Sequence, residues 1–344
     1  MSEQETAYRL LRAALHGQEP DLGTEPLDAT RWWSLFRLLQ RNHVAALCFD
    51  AASKAGTPRD VLMPWMAEHE KAVDWHSYQQ EVQQEIINAM QQHGIETLVL
   101  KGTHISQYYP RPDEREFGDL DLYFYDRHDE ADGLANQKLG IDITNDAHHH
   151  SKYNYRGVTV ESHYDFLNVH YPPSNRRYET LLKELAPAPT FEVLFLLRHM
   201  ACHFAASRIT LRDLADWMLT CRALEAQVDW TAVQDTVEQY GMTAFVYALN
   251  SIAEKQLGYR PPIDSHGSSD DLEAVGRLEH DIVYGSTDTD DRGADGMARL
   301  TWKMRRWRAL AWKRRMVYND NSLRLFLASL TSHAEKPHSI LHKM

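Results

Sequence analysis

Two apolar runs too short for globular helices, 97–100 and 120–125, sit between long stretches whose apolar residues recur every three or four positions. Residues 5–92 carry the helical spacing. Trp32, Trp33, Leu35, Phe36, Leu38 and Leu39 form an apolar band that His43, Ala46, Leu47 and Phe49 continue, and Pro58 and Pro64 punctuate the stretch beyond it. Between 72 and 92, Val73, Trp75, Val82, Ile86, Ile87 and Met90 predict one long helix with a single buried face, stopped by Gly94. After the second run, 131–139 reads as a helix, and 141–144, 152–156 and 158–164 read as short strands. In the last of these Val158, Val160, Ser162 and Tyr164 share one face and Thr159, Glu161 and His163 the other. Helical spacing returns from Pro189 (Phe191, Leu194, Phe195, Leu197, Met200), recurs at Leu211, Leu214, Trp217 and Met218, and continues over 231–240 and 243–256. Acidic, polar loops are expected at 267–271 and 286–296, and no internal repeat is present.

This order predicts an α/β (α+β) chain with a small mixed sheet flanked by helices. The expected division is an N-terminal helical segment (1–93), an α/β core (94–170), a helical lobe (171–260), acidic loops (261–296) and basic, tryptophan-rich helices (297–344). A cleft is expected between the α/β core and the helical lobe.

The candidate chemistry lies where the strands meet polar residues. The first run ends in Lys101-Gly102-Thr103, a small-residue turn, after which Ile105, Tyr108 and Tyr109 are spaced for a helix. The second run carries Asp119 and Asp121 around Leu120. Alternate residues of a strand share a face, so these two carboxylates project side by side. Like charges that close are costly without a proton or a cation between them, and a divalent ion completed by phosphate oxygens is the natural occupant. Gly102 permits close backbone approach, the Gly102 and Thr103 amides would face phosphate at a helix start, and Lys101 and Arg115 are candidates to counter phosphate charge. Taken singly, D-L-D is a common solvated strand end and K-G a common turn.

Together the residues resemble the uncharacterised nucleotidyltransferase family, whose core runs L-K-G, Y-P, R, D-hydrophobic-D. Leu100-Lys101-Gly102, Tyr109-Pro110, Arg115 and Asp119-Leu120-Asp121 fall in that order, after a helix, a glycine and a strand as in the family. The resemblance covers roughly 30–250, with Thr103 where the wider superfamily often has Ser. It implies a nucleotidyltransferase-type sheet and makes Glu161, in a Glu161-Ser162-His163 match to the family's Glu-x-His, the third carboxylate of a metal site. The implied activity is Mg²⁺- (or Mn²⁺-) dependent transfer of a nucleoside monophosphate from an NTP to a hydroxyl-bearing acceptor by two metal ions. Asp119, Asp121 and Glu161 would be catalytic and ligating, Lys101, Gly102, Thr103 and Arg115 would bind phosphate, and His163 would support Glu161 or touch phosphate. Candidate acceptors are a small molecule, a protein side chain or an RNA end. Two other readings remain open, a catalytically degenerate nucleotide-binding or interaction module and a metal-dependent phosphohydrolase.

Other features change this picture less. His199 and His203 are four apart, but Met200, Ala201 and Cys202 lie between them, so the general base of H-E-x-x-H is missing and a structural role or a place in a cleft wall is expected. His148-His149-His150 reads as a loop able to bind metal adventitiously, its closeness to the Glu161 strand permitting a place near the cleft, and Arg212, Asp213 and Asp216 as an internal ion network or a contact to the acceptor, with structure the favoured use. Composition is that of an ordinary globular chain, 43% hydrophobic and 25% charged over 344 residues, and the net charge of −12 opposes general polyanion binding. After Gly296, however, Arg299, Lys303, Arg305, Arg306, Arg308, Lys313, Arg314 and Arg315 sit among Trp302, Trp307 and Trp312 in a basic helix, followed by an apolar one. That helix suits nucleic acid, an anionic membrane surface, or packing against the protein's own acidic groups. Three dispersed cysteines, a polar N-terminus and no membrane-length apolar run lead to the expectation of a cytoplasmic protein.

Overall fold

The computed structural model describes residues 1–143, 149–263, 269–285 and 296–334, with the side chains of 269–271, 296–297, 299–300 and 332–334 excepted. It is a mixed α/β chain with one four-stranded sheet, as the pattern predicts, and it divides into two compact units, 1–191 with 320–344, and 192–319.

The first unit opens with α1 (Glu3–His16), α2 (Ala29–Arg41) and α3 (Ala45–Lys54), the first two started by hydroxyl or carboxylate caps at Ser2 and Asp28. The apolar stripes of α1 and α2 bury Leu10, Leu11, Leu38 and Leu39 completely. The next helix, α4, is a single 33-residue helix, Arg59–Gln91. Pro64 therefore does not end a segment. It lies exposed within the second turn, where the helix gives up one backbone hydrogen bond. Trp65, one residue on, is buried, stacks on Phe36 at 4.9 Å and donates from Nε1 to the Ala45 carbonyl at 2.8 Å.

Val82, Ile86 and Met90 face inward as expected, but Trp75 is 39% exposed, and His76 and Gln79 take the buried positions instead. The reason is a polar stripe one heptad apart on α4. His69 Nε2 pairs with Glu114 at 2.8 Å, His76 Nε2 with Ser106 Oγ at 3.2 Å, and Gln83 Oε1 accepts from Thr103 Oγ1 at 2.6 Å. This stripe fixes the segment after β1 (Leu98–Val99), including the four-residue α5 (Thr103–Ser106).

The sheet continues with β2 (Asp119–Tyr123), then α6 (His128–Leu139), β3 (His150–Tyr155) and β4 (Val158–His163). Its order is β1-β2-β4-β3, with β2 and β4 parallel and both outer pairings antiparallel. One face is apolar. Leu120, Leu122, Tyr153, Val158 and Val160 pack on Val82, Ile86 and Met90 of α4 and on Ala131 and Ala135 of α6. Residues 141–143 are irregular and not a strand. Ile141 joins the packing of α6 as a buried side chain, and 144 lies outside the described residues, as does His148.

After the sheet, α7 (Asn175–Leu185) turns Glu179 back onto the segment leaving β4. Its carboxylate accepts the amides of Phe166 at 3.0 Å and Leu167 at 2.9 Å. Burial nevertheless pushes the Glu179 carboxyl up to about 7 from an ordinary 4.5. A carboxyl raised in the folded state contributes stability that is full below about 4.5 and is lost as pH rises through about 7. The stability difference between wild type and Glu179→Gln, followed by denaturant melts, is expected to shift by about 3 kcal/mol against wild type over that window. A flat difference would refute the raised value. In the first unit's C-terminal piece, α15 is Ser322–Ala334, and Ser174 Oγ donates to Asp320 at 2.5 Å.

The second unit is helical. Its elements are α8 (Pro189–Ala206, whose first residues belong to the first unit), α9 (Leu211–Leu224), α10 (Trp230–Gln239), α11 (Thr243–Ile252), α12 (Ser269–Tyr284), α13 (Gly296–Ala309) and α14 (Ala311–Val317). Residues 269–271 open α12 and so are helix rather than loop, while 264–268 and 286–295 lie outside the described residues. Asp213 forms a capping box with Thr210 and pairs with Arg212 at 3.4 Å, which gives this group its structural role. The basic segment is two helices that break at Leu310. Part of its charge is turned onto the protein, while Arg305, Arg308 and Arg315 are exposed. Arg306 donates to the Ala206 carbonyl and Arg314 to that of Trp307, and Arg277 lies 4.1 Å from the centre of the Trp312 ring. No helix among the described residues is long and apolar enough to cross a membrane.

Candidate functional site

The second face of the sheet is polar, and the strand register accounts for it. Asp121 pairs in register with Glu161 across the parallel β2–β4 ladder, and Glu161 with Lys152 across β4–β3. Tyr123 and His150 are in turn the register partners of His163. Period-two alternation therefore sets Asp119, Asp121, Glu161, His163, Lys152 and His150 on one side, opposite the packed core.

Asp121 is 2% exposed and divides its two oxygens. Oδ2 takes the Lys101 ammonium at 3.1 Å, and Oδ1 lies 3.1 Å from His163 Nε2. Glu161 is reached by Lys152 at 3.2 Å, by His150 Nε2 at 3.5 Å and by His163 Nε2 at 3.9 Å. Asp121, Glu161 and His163 each present one ligand atom within 4.8 Å of the others, and so do His149, His150 and His163. Asp119 shares the face but stands outside these groups. Burial first, then the charges of Asp121 and Glu161, hold its carboxyl above the usual carboxylate range against the pull of Lys101 and Lys152. Burial beside His163 drives the imidazoles down, His149 to about 2 and His150 to about 3.

The turn after β1 closes the site on the Lys101 side. Gly102 has φ 60° and ψ −116°, a backbone that L side chains rarely adopt, and a Cβ there would meet Phe117 at 3.2 Å. Arg115 reaches this turn but is 4% exposed. It donates to the Gly102 carbonyl at 3.2 Å and lies over Tyr109 and Phe117, so its guanidinium supports the loop. The Thr103 hydroxyl spends its hydrogen on Gln83, leaving its backbone amide as the group suited to an anion. Gly102→Ala is expected to cost about 1–3 kcal/mol in a denaturant melt through backbone strain and the Phe117 contact, and to weaken nucleotide binding with it. Unchanged stability would mean that the turn tolerates the strain.

A family model, described as uncharacterised nucleotidyltransferase, matches residues 28–258. This chain belongs to that family. Membership supports nucleotidyl transfer as the general role and a nucleotide as substrate. No curated protein and no solved structure matches the chain. Lys101-Gly102, Asp119-Leu120-Asp121 and Glu161-Ser162-His163, which carry the resemblance, lie on and beside the polar face. The rings of His199 and His203 lie 4.4 Å apart, tilted by 46°, within α8.

Read from the sequence as a loop that could bind metal and lie near the cleft, His149 and His150 stand beside the polar face, with His150 in a strand rather than a loop. His150 begins β3, and its ring lies 5.0 Å from that of His163, with His149 at 5.4 Å. The available clue was the alternation His150, Lys152, Asn154 against Ser151, Tyr153, Tyr155, which is strand spacing written in polar residues.

The donor set fits a divalent cation. Carboxylate oxygens and an imidazole nitrogen converge, largely buried, where three carboxylates are faced by the ammonium groups of Lys101 and Lys152.

Proposed function

We propose that the protein transfers a nucleoside monophosphate from an NTP to a hydroxyl-bearing acceptor, with Asp119, Asp121 and Glu161 holding Mg²⁺ or Mn²⁺. The observation that carries this reading is the convergence of Asp121, Glu161 and His163 on the polar face beside the Lys101-Gly102-Thr103 turn. Bound there, divalent ions would lower the pKa of the acceptor hydroxyl and neutralise triphosphate charge. The chain's own groups do the rest. Lys101 orients Asp121 and is close enough to exchange that carboxylate for phosphate oxygens. The Gly102 and Thr103 amides would receive phosphate, and Arg115, by gripping the Gly102 carbonyl, keeps the turn in place. Glu161 is the candidate to accept the acceptor's proton.

One observation favours a second reading, a nucleotide-binding module without turnover. Lys101 already sits on one oxygen of Asp121 and His163 lies against the other. The test is product analysis with α-labelled NTPs, a divalent ion and small-molecule, protein and RNA acceptors. Labelled acceptor and pyrophosphate are the expected products. Labelled nucleotide released into water would make the protein a phosphohydrolase, and binding without any product would make it the module.

A further inference from the structure

His163 is more than a neighbour of the carboxylates. Its Nδ1 lies 3.2 Å from the Asp165 carbonyl oxygen. A carbonyl only accepts, so Nδ1 carries a hydrogen, and Nε2 is the ring nitrogen placed to ligate. Nε2 faces Asp121 Oδ1 at 3.1 Å and Glu161 Oε2 at 3.9 Å, with the His163 and Asp121 side chains 4% and 2% exposed. On the far side His150 Nε2 is 3.5 Å from the same Glu161 oxygen. The Nδ1 atoms of His149 and His150 are buried with no hydrogen-bond partner among the described residues. Ligands about 2.0–2.2 Å from an ion lie about 3.0–3.5 Å from each other, close to the separations found here.

We infer that this is a mixed imidazole–carboxylate cation centre, in which His163 Nε2 ligates directly beside Asp121 and Glu161 with His150 at its rim. Its preferred occupant is a borderline transition ion, such as Mn²⁺ or Co²⁺, over Mg²⁺. The inference rests on the proposed metal-dependent reading and adds the nitrogen ligand and the choice of ion. Mg²⁺ keeps oxygen ligands and sheds water reluctantly, whereas imidazole favours later first-row ions.

The test uses chelator-treated full-length protein and the metal ions alone. In wild type loaded with one equivalent of Mn²⁺, pulsed EPR is expected to show ¹⁴N coupling from a directly bound imidazole. By calorimetry Mn²⁺ and Co²⁺ are expected to bind at least about tenfold more tightly than Mg²⁺. His163→Gln should remove the nitrogen coupling and weaken Mn²⁺ by about 10–100-fold, while changing Mg²⁺ less than about threefold. Mn²⁺ bound without nitrogen coupling in wild type would overturn the imidazole ligand and leave the carboxylate site standing. Coupling that persists in His163→Gln would overturn His163 as its source. Failure of every ion to bind would overturn both this inference and the metal-dependent reading. The wild-type spectrum decides the matter even where the variant fails to fold.

Discussion

Asp121→Asn is expected to lower nucleotidyl transfer by about 10²–10³-fold or more while leaving the chain folded. Asp121 joins the Lys101 ammonium, the His163 imidazole and, by register, Glu161. Asparagine keeps the shape but removes the charge that attracts a cation and orients Lys101. The fold should survive, because the Lys101 side chain is 17% exposed and can regain water when its partner is neutralised. Apolar packing of the sheet lies on the opposite face. The measurement is turnover of α-labelled NTP beside a thermal melt. Lost activity with a retained melt is the expected pair, and unimpaired turnover would remove Asp121 from the chemistry.

The largest expected effect on stability is in the second unit. Lys313 is completely buried. It donates to Asp281 at 2.6 Å and to the Ser207 carbonyl, and lies over the rings of Phe204 and Trp312. Burial lowers its pKa, while Asp281 holds it up. Removing one partner of a buried pair strands the other charge, so Asp281→Ala is expected to cost about 3–5 kcal/mol. The Asp281→Ala/Lys313→Met double variant should recover most of that loss, since two apolar groups leave no charge to desolvate. A double variant as unstable as the single one would show that packing, not the stranded ammonium, sets the cost. The pair also explains why a segment so basic in sequence does not present all its charge outward.

The carboxylate half of the candidate site was legible because a strand's period of two is strict. Asp119 and Asp121 had to share a face, and Glu161 and His163 had to share another strand's face. What alternation cannot supply is register, and it is the in-register pairing of Asp121 with Glu161 that joins them. The imidazole half was legible only in part: His163 and a strand at 152–156 were readable, but β3 begins two residues earlier in polar histidines, which apolar spacing left in a loop, and 141–144 took a strand it does not form. Along α4 the same reliance on apolar spacing turned Trp75 inward. The buried positions belong to His76 and Gln79, and the His69, His76 and Gln83 stripe grips the segment after β1. Arg115 looked like a phosphate ligand by type and order. Its burial over Tyr109 and Phe117 gives it the work of holding Gly102.

The central claim is that the polar face of the sheet holds a nucleotide through metal-bound carboxylates. Its most direct test is calorimetric titration of ATP, GTP, CTP and UTP with Mg²⁺ or Mn²⁺, into wild type and an Asp119→Ala/Asp121→Ala variant. Metal-dependent binding of at least one nucleotide to wild type, lost in the variant, is the predicted result. Equal, metal-independent binding to both proteins would contradict it.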